Sequence, residues 1–192
     1  MGLTTRPSHP ALAAVGRSLT INRDRLITKW ADWLVERTTQ VQSLDRSTIE
    51  RHLALLVDLV IESAGPLRRE VAELWFNACD TYGRTAAARG LAAGEVVEEI
   101  QHLRELMIRE LSEVIAALQA RQSMAVVLRL NRFLDRGIAH AVVGYTDVLV
   151  EMLFNKRGVV LDASSPGDEA IRARLAQLEE ELAAIKQRSQ TT

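Results

Sequence analysis

Apolar residues recur every three to four positions along most of the chain, the spacing of one face of an α-helix. Leu26, Ile27, Trp30 and Leu34 share a face over about residues 20–40, with Trp33 at its edge. Ile49, Leu53, Leu56, Val57, Val60, Ile61 and Ala64 predict a second helix over about 48–64. Ser47 and Glu50 have the spacing of a capping box at its start, and Gly65-Pro66 ends it. A third stripe, Val71, Leu74, Trp75, Ala78, Tyr82 and Thr85, runs over about 67–89, with Gly90 placed as its C-cap. Val96, Ile100, Leu103, Met107, Leu111, Val114 and Leu118 predict a fourth helix over about 95–120. Val127, Leu130, Leu134, Ile138, Ala141, Tyr145, Leu149 and Met152 predict a fifth over about 123–155.

The pattern changes after residue 155. Residues 156–169, KRGVVLDASSPGDE, read as a linker. Beyond them Ile171, Leu175, Leu178, Leu182 and Ile185 repeat at spacings 4, 3, 4, 3 over a helix at 170–188. That is an a/d seam, and two heptads are too short to stand alone in water. The seam therefore calls for a partner surface, a twin or the body of the chain. Residues 1–19 hold two of the four prolines and little period, and read as a mobile arm ending in no more than a short helical turn. The organisation expected is an arm at 1–19, a helical domain at 20–155, a linker at 156–169 and a heptad helix at 170–188. Long amphipathic helices with short connections give an all-α fold, a globin-like or antiparallel bundle of about five main helices plus the coiled-coil-like C-terminal helix.

Composition narrows the function. Hydrophobic residues make up 47% of the 192, enough for a core, while aromatics are 4%. The formal net charge is −1, with Lys and Arg spread along the chain, which gives no footprint for nucleic acid. Cys79 is the one cysteine, so no internal disulfide forms and no zinc spacing exists. No apolar run is read as reaching the roughly 18 residues of a membrane span, and the N-terminus lacks a signal-peptide core. A cytoplasmic location is expected from these absences, with no membrane partner.

Chemistry-bearing side chains are sparse. On a helical wheel His52, His102 and His140 stand about 105°, 125° and 140° from the centres of their apolar stripes, pointing off the core. A haem ligand in a bundle would face inward, so no haem is expected. EEIQHLREL at 98–106 is loosely similar to the phosphoacceptor box of dimeric histidine kinases, which makes His102 a candidate phosphoacceptor. Leu103 stands where an acidic residue would follow, and no ATP-binding domain accompanies it. Cys79 has no His nearby in sequence and reads as a small buried hydrophobe. No phosphate loop and no nucleophile elbow occur. Arg89 falls on the core stripe at a helix end, where it would snorkel beside the helix dipole or pair with Glu99.

Three stretches together resemble a known family. ITKWADWLVER at 27–37 looks like its start. YGRTAAARGLAAGEVVEEIQHLRELMI at 82–108 looks like its middle, with Glu99, Leu103 and Arg104 in an E-x-x-x-L-R arrangement. LNRFLDRGIAHAVVGYTDVL at 130–149 looks like its end, with Asp135, Ile138, Ala141 and Tyr145. The family is the N-terminal domain of RsbR/RsbRD-type proteins, the RsbT co-antagonists of stressosome signalling, similar to domains that precede histidine kinases. The resemblance implies a globin-like sensory input domain, usually without haem. It also implies a homodimer whose C-terminal helix carries the signal to an output module, such as a kinase or an anti-sigma-type domain. Arg89, Glu99, Arg104, Asp135 and Tyr145 become a candidate polar network, and Ile171, Leu175, Leu178, Leu182 and Ile185 a dimer or transmission seam. The expected role is non-catalytic, with no metal or cofactor. A haem- or fatty-ligand-binding sensor and a phosphotransfer protein using His102 are the alternatives.

Overall fold

The computed structural model describes residues 9–37, 46–65, 67, 69–156 and 168–190. Among them the chain is all α-helix, with no strand. In chain order the helices are α1 His9–Ile21, α2 Arg23–Arg37, α3 Arg46–Ser63, α4 Glu70–Ala88, α5 Ala93–Glu110, α6 Ser112–Ala116, α7 Ala120–Lys156 and α8 Asp168–Gln190.

Two of these depart from the sequence pattern. Residues 9–19, expected in a mobile arm, belong to α1. Pro10 sits in its first turn, where a missing N–H costs nothing. Ala11, Val15 and Leu19 follow at four-residue spacing and are buried against the body. Four-residue spacing in a short, alanine-rich segment gave too weak a period to read. The single helix expected over 95–120 is broken at Leu111, which is itself fully buried. There the Ser123 hydroxyl at the head of α7 donates to the Ile115 carbonyl at 2.8 Å, tying α6 to α7. Helix α3 starts at Arg46, one residue before Ser47, and Glu50 engages the Arg46 guanidinium at 2.7 Å. The linker expected at 156–169 lies, over 157–167, outside the described residues.

Helices α4 and α7 form the centre and run side by side in the same direction. Trp75 stacks on Phe133 at one end and donates its indole N–H to the Phe133 carbonyl at 3.0 Å. At the other end Arg84 reaches Asp147 at 2.8 Å and Glu151 at 3.5 Å. Glycine permits this approach: a Cβ on Gly83 would fall 1.8 Å from the Ala141 carbonyl oxygen, and one on Gly144 2.2 Å from that of Asp80. Helices α2, α3 and α5 pack around this pair. Arg23 of α2 clasps Asp58 of α3, and Arg25 and Lys29 share Glu110 of α5.

Helix α7 also corrects one expectation. Between Ala120 and Phe154 it is long and apolar enough, by length and composition, to cross a membrane. Its acids Asp147 and Glu151 are nevertheless engaged by Arg84 of α4. The Tyr145 hydroxyl is spent on the Leu91 carbonyl at 2.7 Å. These are the polar commitments of a helix packed within a bundle.

Candidate functional site

The turn between α4 and α5 gathers most of the buried polar groups. Gly90 has φ 79°, the left-handed conformation that ends a helix with least strain in glycine. Its N–H donates to the Ala87 carbonyl and that of Leu91 to Ala86, the paired bonds of a Schellman ending. The Ala92 N–H opens α5 by donating to the Glu95 carboxylate at 2.6 Å. The predicted C-cap at Gly90 is therefore present.

Behind this turn Tyr82, Arg89 and Glu99 meet inside the protein. Tyr82 donates its hydroxyl hydrogen to Glu99 Oε2 at 2.6 Å, and Arg89 reaches Glu99 Oε1 at 3.5 Å. Arg89 is 4% exposed and Glu99 5%, so this is a desolvated pair and not a snorkelling arginine. Burial pushes the Glu99 carboxyl above its ordinary range, while Arg89 and the Tyr82 hydroxyl pull it back. Burial likewise raises the Tyr82 phenol, reinforced by the Glu99 charge.

His52 adjoins the same cluster, contrary to the wheel, which pointed it to solvent. It is 2% exposed, edge-on to the Tyr82 ring at 5.1 Å, with Nε2 3.1 Å from the Ala78 carbonyl oxygen. Burial lowers its pKa to about 4, so the imidazole is neutral. The wheel failed because it took only the apolar residues of α3 as its buried side, and α4 covers the flank of that stripe as well.

Of the network expected from sequence, then, Arg89 and Glu99 come together. Tyr145 fastens α7 to the Leu91 carbonyl on the far side of the Gly90 turn. Arg104 and Asp135 form a separate pair at the surface, bridging α5 to α7. Tyr82 was read only as a core residue. A buried tyrosine hydroxyl needs a partner, and Glu99 stands three residues after Val96 and four before Leu103, on the inward face of α5. Those two facts together were the available signal.

The remaining candidates lie apart. His102 stacks on Trp33 with ring centres 4.2 Å apart, half-buried, and burial lowers its pKa. His140 stacks on Phe76 at 4.4 Å. Cys79 is fully buried beneath Gly137, and burial raises its thiol well above the usual range. Among the described residues no group of three or more His, Cys, Asp or Glu side chains is arranged to hold a metal.

Helix α8 places its seam on the chain's own body. Ile171, Leu175, Leu178, Leu182 and Ile185 are all buried, with Leu175 and Leu178 at 0% exposure. The seam meets α3 and α4, so the partner surface is the body of the chain, one of the two that the spacing left open. Polar contacts set its register along α3: Arg172 donates to the Thr48 hydroxyl at 3.1 Å, Arg51 pairs with Glu179, and Lys186 reaches Glu62 at 3.0 Å. A cleft of about 200 Å³ opens between α4 and the start of α8, beside Asp80, Arg84 and Arg174.

Residues 24–157, spanning α2 through α7, match the family described as the RsbT co-antagonist protein rsbRD N-terminal domain. No curated protein and no solved structure matches the chain. Helix α8 lies outside the matched residues.

Proposed function

The chain belongs to the RsbT co-antagonist rsbRD N-terminal domain family, and we propose that it works as a non-catalytic input or adaptor module that relays a signal through α8. Family membership makes it a signalling domain of the stressosome type. The finer reading is a cytoplasmic homodimer that hands its state to a downstream protein, a kinase, an anti-sigma-type protein or another output module.

The observation that carries this reading is the docking of α8. The helix lies beyond the family-matched body and rests on α3 and α4 by one apolar seam and three polar contacts at its rim. In this reading the helix, held by one seam, moves between two discrete states, docked and released. Such a bistable element is what a relay requires. The buried Tyr82–Glu99–Arg89 cluster supports the same reading from the other side. Its groups satisfy one another, and no nucleophile stands beside a base there, so it couples α4 to α5 without chemistry.

The test is affinity capture from a bacterial lysate with the full chain and with Leu178→Lys, which should release α8. Retention of a signalling protein, in an amount that changes when α8 is released, is the expected result. Equal retention by both forms, or nucleotide turnover by the purified chain, would contradict the reading.

A further inference from the structure

The cleft between α4 and the head of α8 has charge of opposite sign on its two sides. Asp80, Thr81, Arg84 and Thr85 line it from α4, and Ala170, Ile171 and Arg174 from α8, around about 200 Å³. Thr81 and Thr85 give their hydroxyl hydrogens to carbonyls of α4 itself, those of Asn77 and Thr81, at 2.8 Å. Arg84 is already taken: Asp80 Oδ2 accepts from its Nε at 3.0 Å, and Asp147 and Glu151 hold its other nitrogens. Three carboxylates thus share one guanidinium, and the α4 side carries surplus negative charge. Asp80 Oδ1 accepts no hydrogen bond among the described residues. On the α8 side the half-buried Arg174 has one partner among those residues, the Gln177 side-chain oxygen at 2.7 Å, and no carboxylate.

We propose that this cleft binds a small neutral aliphatic α-amino acid, its ammonium on Asp80 and its carboxylate on Arg174, and that the ligand holds α8 docked. The inference rests on the relay reading above for the role of α8 and names a signal for it. Charge selects the class. An anion alone would pair with Arg174 but face the surplus acids around Arg84. A cation alone would pair with Asp80 and leave the Arg174 guanidinium half-buried without a counter-charge. A ligand with both charges on neighbouring atoms satisfies the two sides at once. Ala170 and Ile171 belong to the first turn of α8, where the helix dipole also favours a carboxylate. The volume lies below the roughly 300 Å³ at which pockets for drug-sized molecules begin, so the ligand is small. The uncharged lining, Ala170, Ile171 and the two threonines, suits a short aliphatic side chain. The effect on α8 follows from the lining. Both helices contribute to it, so the site is complete only while α8 is docked, and a ligand that binds one of two states shifts the equilibrium toward it.

Calorimetric titration of the full chain with L-alanine, L-valine and L-leucine tests this. At least one should bind with a Kd on the order of 0.1–1 mM. The deaminated and decarboxylated analogues of the tightest of the three (for valine, isovalerate and isobutylamine) should each bind at least tenfold more weakly. Arg174→Gln, which gives up only the Gln177 contact, should keep the helical spectrum and weaken binding at least tenfold. Asp80→Asn should do the same, with Arg84 still held by Asp147 and Glu151. Glu180→Gln, exposed on α8 outside the lining, should change nothing. The bound amino acid should also slow hydrogen exchange over residues 171–178 in the unmodified chain. No binding of any of the three up to about 10 mM would overturn the site and leave the relay reading standing. Equal binding of either analogue would overturn the ligand class, and binding untouched by both Arg174→Gln and Asp80→Asn would overturn its place. Binding without slower exchange in α8 would overturn the coupling. Binding with slower exchange, in a chain whose partner retention ignores the release of α8, would uphold the site and refute the relay.

Discussion

Tyr82 and Glu99 are joined by a hydrogen bond of 2.6 Å, buried behind the Gly90 turn, and it links α4 to α5 where the chain reverses. Arg89 closes the cluster from the end of α4. Removing the phenol in Tyr82→Phe should cost about 1–2 kcal/mol, because one acceptor of a buried carboxylate loses its donor. Glu99→Leu should cost more, about 3–5 kcal/mol, by leaving the Arg89 guanidinium buried without its partner. Adding Arg89→Leu to Glu99→Leu should recover part of that loss, since the pair is desolvated as a unit. Urea unfolding of the four proteins measures each term.

Acid should act first through His52. Above about pH 6.5 its imidazole is neutral in both folded and unfolded chains. Between about 6.5 and 4 the unfolded chain takes up a proton that the folded chain refuses, because the folded pKa lies at about 4. Stability therefore falls as pH falls through this window, by about 3 kcal/mol at most. Glu99 contributes with the opposite sign: its carboxyl is raised in the folded chain, so what its burial costs at neutral pH is returned on acidification. His52→Leu should flatten the dependence between about pH 6.5 and 5, read as the shift of the urea midpoint. An unchanged slope would show that the ring is not held neutral in the fold.

The α4–α7 contact predicts a sharp contrast among glycines. Gly83→Ala and Gly144→Ala would each drive a Cβ into facing backbone, at 1.8 and 2.2 Å from a carbonyl oxygen. Backbone cannot rotate away, so the two helices must separate, and each change should cost more than about 2 kcal/mol. Gly94→Ala, in the first turn of α5 with nothing within 4 Å, should be neutral or slightly stabilising. Thermal melts of the three variants separate these outcomes.

The stripes of α2 to α5 and α7 were legible because each has one dominant buried face, which hydrophobic spacing reports directly. What was not legible was which helix lies against which. His52 sits about 105° off the stripe of α3, and it is buried because α4 lies against that side, with the Tyr82 ring and the Ala78 carbonyl on the imidazole. The seam Leu175–Leu178 is buried on α3 and α4, a choice its heptad spacing left open between a twin and the body. A heptad pattern states that a helix needs a partner, and it carries no information on whether that partner is another copy or the same chain. Arg89 and Glu99 could be paired from sequence because ten residues and one glycine turn separate them. Tyr145 and the Leu91 carbonyl could not, since a backbone acceptor leaves no mark in the residue pattern.

The chain's central feature is that α8 is folded onto its own body, and hydrogen exchange on the full chain tests it most directly. Docking on α3 and α4 predicts that the amides of residues 171–185 are protected to a degree comparable with α3. It also predicts that this protection is the same at low and high protein concentration, and that it is lost on Leu178→Lys together with part of the protection of α3. Exchange of those amides at the rate of an isolated helix, or protection that grows with concentration as a helix paired with its twin would show, would contradict it.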